Sequence, residues 1–120
     1  MGIYRIKMAG IYSITHTETG MIYIGMSVDI FSRWQSHYTQ MRTGKHSSVK
    51  LTKLWSETKP CEWTFSILEY VSISEYKLLL KTSGKELTNG FRTLLLKKEK
   101  EWMKKYSINM ALNKDNKRFS

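Results

Sequence analysis

Cysteine, proline and long hydrophobic runs are scarce in this sequence of 120 residues. The single cysteine, Cys61, excludes a disulfide framework and a zinc site built from paired cysteines, and it predicts an intracellular, cytoplasmic location. One proline and seven glycines exclude collagen-like repeats and low-complexity disorder. The purely apolar runs are short, such as residues 78–80 and 94–96, so the sequence predicts no membrane-spanning helix, which needs about 20 apolar residues.

Acidic residues are also few relative to basic ones. Twenty Lys and Arg stand against ten Asp and Glu, which leaves a net charge of +10 and a pI near 9.8. A charge excess of this size points to a polyanionic partner. The length and the 41% hydrophobic content suffice for one domain with its own core. We expect an N-terminal extension over residues 1–8, one domain over 9–114 and a basic tail over 115–120.

The residue pattern predicts a small α+β domain in which helices pack against a three-stranded antiparallel sheet. Residues 9–14 and 21–25 are rich in β-branched and aromatic side chains and flank a polar stretch ending in Gly20, which indicates a β-hairpin. Apolar residues at spacings of three and four indicate helices elsewhere. The further predicted elements are helices over 30–42, from 46 to before Pro60, over 74–81 and over 91–106, a third strand over 62–70, a loop over 82–90 and a frayed end from 107.

Tyr12 and Tyr23 lie in the two predicted hairpin strands. In a hairpin with a short turn, two such tyrosines come close together and can share a face of the sheet. Tyrosines on strands most often pack in a core, whereas a phenol exposed at a cleft can act as a general acid or base. The pattern alone leaves both interpretations open.

Arg33 and His37 are four residues apart on the first predicted helix, so their side chains lie on one face. This face is either a solvated polar surface or a cation beside a titratable imidazole. In the second case the pair can point at an anionic group such as a phosphate.

Glu99 interrupts the apolar face of the last predicted helix, on which Leu95, Trp102 and Tyr106 also lie. A carboxylate on a buried face must be paired, protonated or bound to a metal. Glu99 can pair with a lysine of the same helix or lie at the edge of the face. If it binds a metal, one hard carboxylate completed by waters and substrate phosphates suits Mg²⁺. A Tyr, an Arg, a His and a Glu in one basic domain suit metal-assisted hydrolysis of a phosphodiester.

These residues stand in motifs that resemble those of the GIY-YIG nucleases. Residues 10–12 read GIY and residues 23–25 read YIG, with ten residues between them, which is the motif pair and the spacing of that family. The segment SRWQSH supplies Arg33 and His37 in the family's order, and EKEW places Glu99 three residues before a Trp on the last helix. The resemblance extends over about residues 8–114.

The resemblance implies hydrolysis of DNA with one metal ion, Mg²⁺ or Mn²⁺, per active site. It implies that Tyr12 acts as general base or positions the attacking water, and that Arg33 stabilises charge on the phosphate. Glu99 would hold the metal ion, and Tyr23 and His37 would complete the hydrogen-bonding shell. The implied supporting residues are Gly25 and a late asparagine, Asn113, with Asn109 as the alternative.

Two features depart from the family's pattern. Met26 follows the YIG motif where a small residue is usual, which predicts a crowded floor of the site. The stretch between the third strand and Glu99 is longer than usual because it contains residues 82–90.

We expect DNA to be the partner and a membrane not to be one. Lysines flank the apolar face of the last helix and form either a solvated surface or a track of phosphate contacts. The segment GKHSSVKL also resembles one in phage homing endonucleases, and a phage origin would place the protein in the host cytoplasm. The candidate DNA contacts are Lys97, Lys100, Lys104, His46 and Lys50.

Target recognition would come from loops, from the basic tail, from a homodimer or from a partner chain that confers specificity. Two alternative functions remain at this point. The chain can be a non-catalytic DNA-binding module on the same fold, or a basic domain that binds an acidic protein.

Overall fold

The computed structural model describes residues 7–81 and 83–113. The predicted tail over 115–120 and most of the predicted extension over 1–8 lie outside these described residues. The strands are β1 (Gly10–His16), β2 (Ile22–Ser27) and β3 (Trp63–Tyr70), and the helices are α1 (Ile30–Thr43), α2 (Val49–Ser56), α3 (Ile73–Leu80) and α4 (Gly84–Met103). Two 3₁₀ turns, Pro60–Glu62 and Ile108–Met110, precede β3 and follow α4.

The three strands form one antiparallel sheet in the order β2-β1-β3. The hairpin between β1 and β2 is closed at its turn, where the Gly20 amide donates to the His16 carbonyl at 2.8 Å and the His16 amide to the Met21 carbonyl at 2.9 Å. The predicted α+β class, with a three-stranded antiparallel sheet flanked by helices, is confirmed.

Helices cover both faces of the sheet, so the central strand β1 is buried along almost its whole length. On one face Tyr12 and Ile14 pack with residues of α1 and α2 in a cluster that includes Ile30, Met41 and Leu51. On the other face lies the long helix α4. Its partners there include Ile11, Ile22 and Ile24, which pack with Met103, and Ala9 and Val71, which pack with Phe91 and Leu95.

Asp29 and Gly44 cap the two ends of α1. The Asp29 carboxylate accepts a hydrogen bond from the Ser32 amide at 3.4 Å, which satisfies an amide that has no partner inside the helix. Gly44 ends the helix in the left-handed conformation, and its amide donates back to the Gln40 and Met41 carbonyls. The predicted boundaries of this helix are therefore confirmed to within a residue.

The predicted loop over 82–90 is wrong for residues 84–90, which form the first two turns of α4. Gly84 and Gly90 suggest the two ends of a loop, but Gly90 lies inside the helix. A Cβ there would come within 3.3 Å of the Tyr76 Cζ and closer still to its hydroxyl. Gly90 therefore leaves room for the Tyr76 ring of α3, and packing outweighs the low helix propensity of glycine.

The C-terminal end and the buried face of the last helix also differ from the prediction. Helix α4 ends at Met103, not at Tyr106, and its buried residues are Phe91, Leu95, Glu99 and Met103. Trp102 is half-buried and donates from Nε1 to Glu69 Oε1 at 2.9 Å. Trp102 also packs at the edge of the apolar face, against the cluster that contains Met103.

The predicted fraying from residue 107 is wrong for residues 108–113. Ala111 forms a parallel bridge with Ile22, and the Leu112 amide donates to the Ile22 carbonyl at 2.8 Å. This segment pairs with the outer edge of β2, where the sheet would otherwise leave backbone groups without partners. In the described part of the chain, no helix has both the length and the apolarity that crossing a bilayer requires.

The core against α4 gives a stability prediction with a neighbouring control. Leu95 is fully buried, whereas Leu96 is 37% exposed. Leu95→Ala is expected to lower the free energy of unfolding by about 2–5 kcal/mol, because it leaves a cavity between α4 and the sheet. Leu96→Ala is expected to cost less than about 1 kcal/mol. Urea unfolding of both variants measures the difference, and equal losses would contradict this packing.

Candidate active site

The hairpin places Tyr12 and Tyr23 on the same face of the sheet, as predicted. Tyr12 lies opposite Gly25, and Ile14 lies opposite Tyr23, so the two tyrosines occupy diagonal positions two residues apart. Both rings contact the His37 ring of α1, with centroids 5.6 and 5.0 Å from it. Tyr12 is 1% exposed, and Tyr23 is half-buried.

The glycines of the two motifs lie where the chain makes close contacts. A Cβ on Gly25 would come within 3.0 Å of the Tyr12 Cε2 and closer still to its Cζ and Oη. A Cβ on Gly10, which has φ +156°, would lie 3.0 Å from the Glu69 carbonyl carbon and closer to the oxygen, next to the register shift at Ile11 and Tyr12. Gly25 thus lets the Tyr12 ring lie against β2, and Gly10 lets β3 approach β1.

Helix α1 brings Arg33 and His37 to the two tyrosines. His37 is fully buried, and its Nε2 lies 2.6 Å from the Tyr12 Oη. Arg33 lies one turn earlier on the same face, and its guanidinium acts on the hydroxyls of both Tyr12 and Tyr23 through its charge and through hydrogen bonds. The shared face predicted from the spacing of Arg33 and His37 therefore points at the tyrosines.

A second histidine extends this contact into a chain of hydrogen bonds. His46 precedes α2, and its Nε2 lies 2.6 Å from the His37 Nδ1. The two imidazoles are stacked with centroids 4.8 Å apart, and the Tyr23 ring meets the His46 ring edge-on at 5.4 Å. His46 is 7% exposed, so it lies behind His37 and not on the surface where a phosphate contact was expected.

The Ser48 amide determines the direction of the hydrogen bonds in this chain. It donates to His46 Nδ1 at 2.9 Å, so a neutral His46 carries its proton on Nε2 and donates to His37 Nδ1. His37 then carries its proton on Nε2 and donates to the Tyr12 oxygen. The proton of the Tyr12 hydroxyl consequently points away from His37.

Burial keeps both histidines neutral near pH 7. It lowers the pKa of His37 to about 3, and the charges of Arg33 and His46 act in the same direction. Burial, followed by the charge of Arg33, lowers the pKa of His46 to about 4. His46 therefore donates to His37, and His37 to Tyr12, over the physiological pH range.

Burial also raises the pKa of both tyrosines. For Tyr12 the raising effect of burial is reinforced by Tyr23 and opposed by the charge and hydrogen bond of Arg33. For Tyr23 burial raises the pKa, Arg33 lowers it, and the Glu99 carboxylate raises it. Arg33 is thus the group that favours a phenolate at either tyrosine.

Glu99 of α4 approaches the same tyrosines from another direction. It lies on the buried face of the helix, one turn after Leu95, and is 8% exposed. Its charge acts on both Tyr12 and Tyr23, so the carboxylate belongs to this cluster of polar groups. The interruption of the apolar face by Glu99, expected from the sequence, is confirmed.

The Asn113 side chain forms hydrogen bonds to β2, the strand that carries the YIG motif. Its Oδ1 accepts a hydrogen bond from the Ile24 amide at 2.9 Å, and its Nδ2 donates to the Ile24 carbonyl at 2.7 Å. The side-chain amide thereby pairs with β2 as a neighbouring strand would. Asn109, the alternative supporting residue, is exposed on the 3₁₀ turn Ile108–Met110.

The GIY-YIG catalytic domain model matches residues 8–113 of the chain. The chain belongs to the GIY-YIG family. The fold agrees with this assignment. The catalytic domain of intron endonuclease I-TevI, in a mutant form, is 24% identical and matches with a TM-score of 0.68 over 94% of this chain and 99% of that chain. A second structure of the catalytic domain of homing endonuclease I-TevI is 25% identical, with a TM-score of 0.67 over 89% and 98% of the two chains.

A curated relative matches over a shorter stretch. Intron-associated endonuclease 1 of Enterobacteria phage T4 is 35% identical over 49 residues, which are 41% of this chain and 20% of that protein. The match thus spans about a fifth of the length of that relative.

The structure separates the predicted catalytic residues from most of the predicted DNA contacts. Tyr12, Tyr23, Arg33, His37 and Glu99 converge on one cluster. Of the expected phosphate contacts, His46 is buried behind His37, and the four lysines lie outside the cluster. The exposed lysines are Lys50, Lys97, Lys100 and Lys104. The part that His46 plays behind His37 could not be found from motif spacing. The local clue is that His46 stands two residues before Ser48, the residue that caps α2.

The register of the hairpin removes the concern about Met26. It lies opposite Ile11, and so belongs to the sheet face that packs on α4, not to the face that carries Tyr12. The half-buried Met26 side chain packs among apolar residues of that second face. Met26 therefore does not crowd the sheet face that carries Tyr12.

The lowered histidine pKa values predict a pH dependence of stability. Both pKa values lie below the value of an unfolded histidine, about 6.5, so the unfolded chain binds more protons between pH 4 and 6.5. The stability contributed by neutral His37 and His46 is therefore complete above about pH 6.5 and is lost as the pH falls. Lowering the pH from 7 to 5 is expected to cost about 4 kcal/mol, measured by urea unfolding.

The control is the double variant His37→Gln, His46→Gln, which removes both titrating groups. Its stability is expected to change much less between these two pH values. An unaltered pH dependence in the double variant would show that other groups are responsible.

Proposed function

We propose that this chain is a metal-dependent DNA endonuclease that hydrolyses phosphodiester bonds. The observation that carries the proposal is the convergence of Tyr12, Tyr23, Arg33, His37 and Glu99, which come from four separate elements, on one cluster. The printed names of the relatives, an intron-associated endonuclease and a homing endonuclease, support the same activity.

Glu99 suits a divalent metal ion such as Mg²⁺ or Mn²⁺. It is a buried carboxylate on an otherwise apolar helix face, and its charge acts on the hydroxyls of Tyr12 and Tyr23. A site with one carboxylate leaves the other positions of a hard cation for water and substrate phosphate oxygens. The bound ion would polarise the scissile phosphate and stabilise charge on the leaving 3′ oxygen.

Among the described residues, Arg33 is the cation whose charge acts on both tyrosines. Its guanidinium lies among the two tyrosine hydroxyls and faces both histidines, which are neutral. A phosphate that enters this cluster would therefore meet the positive charge of Arg33 and its several N–H donors. Arg33 would stabilise the additional negative charge that the phosphate acquires in the transition state.

Tyr12 would take a proton from the attacking water. The chain from the Ser48 amide through His46 and His37 delivers an N–H to the Tyr12 oxygen, and this hydrogen bond stabilises the phenolate. The phenolate would accept the water proton as the water oxygen bonds to phosphorus and the bond from phosphorus to the 3′ oxygen breaks. His37 and His46 orient Tyr12 and hold its oxygen in position for this transfer.

The surface lysines would guide DNA to the site. Lys97, Lys100 and Lys104 are exposed on α4, the helix that carries Glu99, and Lys50 is exposed on α2 near the histidine chain. Phosphate contacts from lysines position a protein on DNA without reading the base sequence. One active site cuts one strand in each event, so a double-strand break would need a homodimer, a partner chain or two successive reactions.

Glu99 and Glu101 form a matched pair for a test of catalysis. Glu99→Ala is expected to lower metal-dependent cleavage of supercoiled plasmid by on the order of 10²-fold or more, because the carboxylate that would hold the metal ion is lost. Glu101→Ala changes an exposed acid two residues later and is expected to cleave like the parent chain.

Binding distinguishes a catalytic loss from a structural one. Glu99→Ala is expected to retain DNA affinity, and the affinity of both proteins should fall steeply between about 50 and 200 mM salt. Full activity of Glu99→Ala would overturn the assignment of the metal ligand. Binding that does not depend on salt would favour the alternative of a protein-interaction domain.

The role of Tyr12 as base predicts the pH dependence of cleavage. Because burial raises the pKa of Tyr12, the phenolate is a small fraction near pH 7 and its amount rises about tenfold per pH unit. The initial cleavage rate is expected to rise in the same proportion between pH 6 and 8. Tyr12→Phe keeps the ring against Gly25 and should lose both the activity and the rise.

The control is Tyr38→Phe, since Tyr38 is exposed on the same helix as His37. It is expected to keep the parent profile. A flat profile in the parent chain would mean that Tyr12 positions water without taking its proton.

A further inference from the structure

The His16 side chain, at the C-terminal end of β1, has a buried nitrogen that lacks a hydrogen-bond partner in the described part of the chain. His16 is 2% exposed, and its Nδ1 lies 2.8 Å from the Thr19 Oγ1. Its Nε2 is buried and has no hydrogen-bond partner among the residues that the structure describes. A buried polar atom is normally paired, so this nitrogen needs a physical explanation.

Two carboxylates stand near this nitrogen. Glu62 Oε1 lies 3.8 Å from His16 Nε2, which is too long for a hydrogen bond. Glu18, in the exposed turn of the hairpin, brings a third ligand atom, and the three atoms lie within 4.8 Å of one another. One imidazole nitrogen and two carboxylate oxygens are therefore gathered at the boundary between the core and solvent.

The backbone holds the two sides of this cluster together. The Thr17 amide and hydroxyl donate to the Glu62 carbonyl oxygen, at 3.0 and 2.8 Å. Thr17 stands between the two hairpin ligands, His16 and Glu18, so these two hydrogen bonds attach the hairpin turn to the 3₁₀ turn that carries Glu62. The three ligand atoms are thus brought together by main-chain contacts and not by flexible side chains alone.

We propose that His16, Glu18 and Glu62 bind a divalent transition-metal ion, Zn²⁺, with water in the fourth position. Tetrahedral Zn²⁺ with ligand distances of about 2.0–2.2 Å places its ligand atoms about 3.4 Å apart. The His16 nitrogen and the Glu62 oxygen at 3.8 Å therefore need to move by a few tenths of an ångström. The Glu18 oxygen lies within 4.8 Å of both atoms, and its exposed side chain can close the remaining distance. Imidazole as a ligand favours Zn²⁺ over Mg²⁺, which prefers oxygen ligands and water.

Thr19 provides the contact that a metal-binding histidine requires on its other nitrogen. Its Oγ1 can accept from the His16 Nδ1–H while it also accepts from the Met21 amide at 3.2 Å. This arrangement leaves the lone pair on Nε2 and fixes the orientation of the ring. The ring also packs on Trp63 with centroids 5.2 Å apart, which limits its rotation.

This site is separate from the nuclease cluster. His16 follows Tyr12 by four residues along β1, a separation of about 14 Å in a strand. A metal ion bound there would link the β1–β2 turn to the residues just before β3, and it would act on the stability of the sheet. The proposal does not depend on the nuclease activity.

Zn²⁺ binding to the purified chain tests the site by two measurements. A chromophoric chelator in competition with the protein gives affinity and stoichiometry, and thermal unfolding at rising Zn²⁺ concentration gives the stabilisation. The parent chain is expected to bind one equivalent and to unfold at higher temperature as Zn²⁺ is added. Glu18→Gln and Glu62→Gln are expected to weaken binding at least about tenfold and to abolish the thermal shift.

Two controls separate this site from the rest of the molecule. Glu57→Gln alters an exposed acid elsewhere on the surface, and Glu99→Gln alters the proposed nuclease metal ligand. Both are expected to bind Zn²⁺ as the parent does. Because Glu18 is exposed, its substitution should leave the fold intact, which the unfolding temperature without Zn²⁺ verifies.

Three results would overturn the proposal. They are an absence of Zn²⁺ binding by the parent chain, unchanged binding by both Glu18→Gln and Glu62→Gln, and loss of the one equivalent in Glu99→Gln.

Discussion

The contact between the Tyr12 ring and Gly25 is the constraint on which the site depends. Because Gly25 has no side chain, the ring lies directly against β2, and its hydroxyl reaches the His37 Nε2 at 2.6 Å. The position of His37 is set in turn by His46 and the Ser48 amide. A side chain at position 25 would displace the ring and break this series of contacts at its first member.

The same burial determines the charges of the site. Tyr12 and Tyr23 are held as neutral phenols and His37 and His46 as neutral imidazoles, because a buried charge is costly. Arg33 and Glu99 supply opposite charges around these neutral groups. An arrangement of this kind exists before the substrate arrives, so little reorganisation is needed when charge develops on a phosphate.

The sheet connects the site to distant parts of the chain. Asn113 and Leu112 bind the outer edge of β2, and Ser48, which caps α2, donates from its hydroxyl to the Leu112 carbonyl. The C-terminal segment therefore supports both the strand with the YIG motif and the helix that follows His46. Position 113 is far from the tyrosines in sequence, yet it stabilises the strand on which one of them lies.

Local sequence determined the hairpin, the caps of α1, the shared face of Arg33 and His37, and the unusual position of Glu99, since each follows from short-range spacing or turn chemistry. Tertiary structure decided the features that depend on distant contacts. Residues 84–90 are helical because Gly90 accommodates the Tyr76 ring, and residues 108–113 are ordered because β2 needs a partner at its edge. His46 became part of the histidine chain only because α1 and α2 pack side by side, and no periodicity in the sequence encodes that contact.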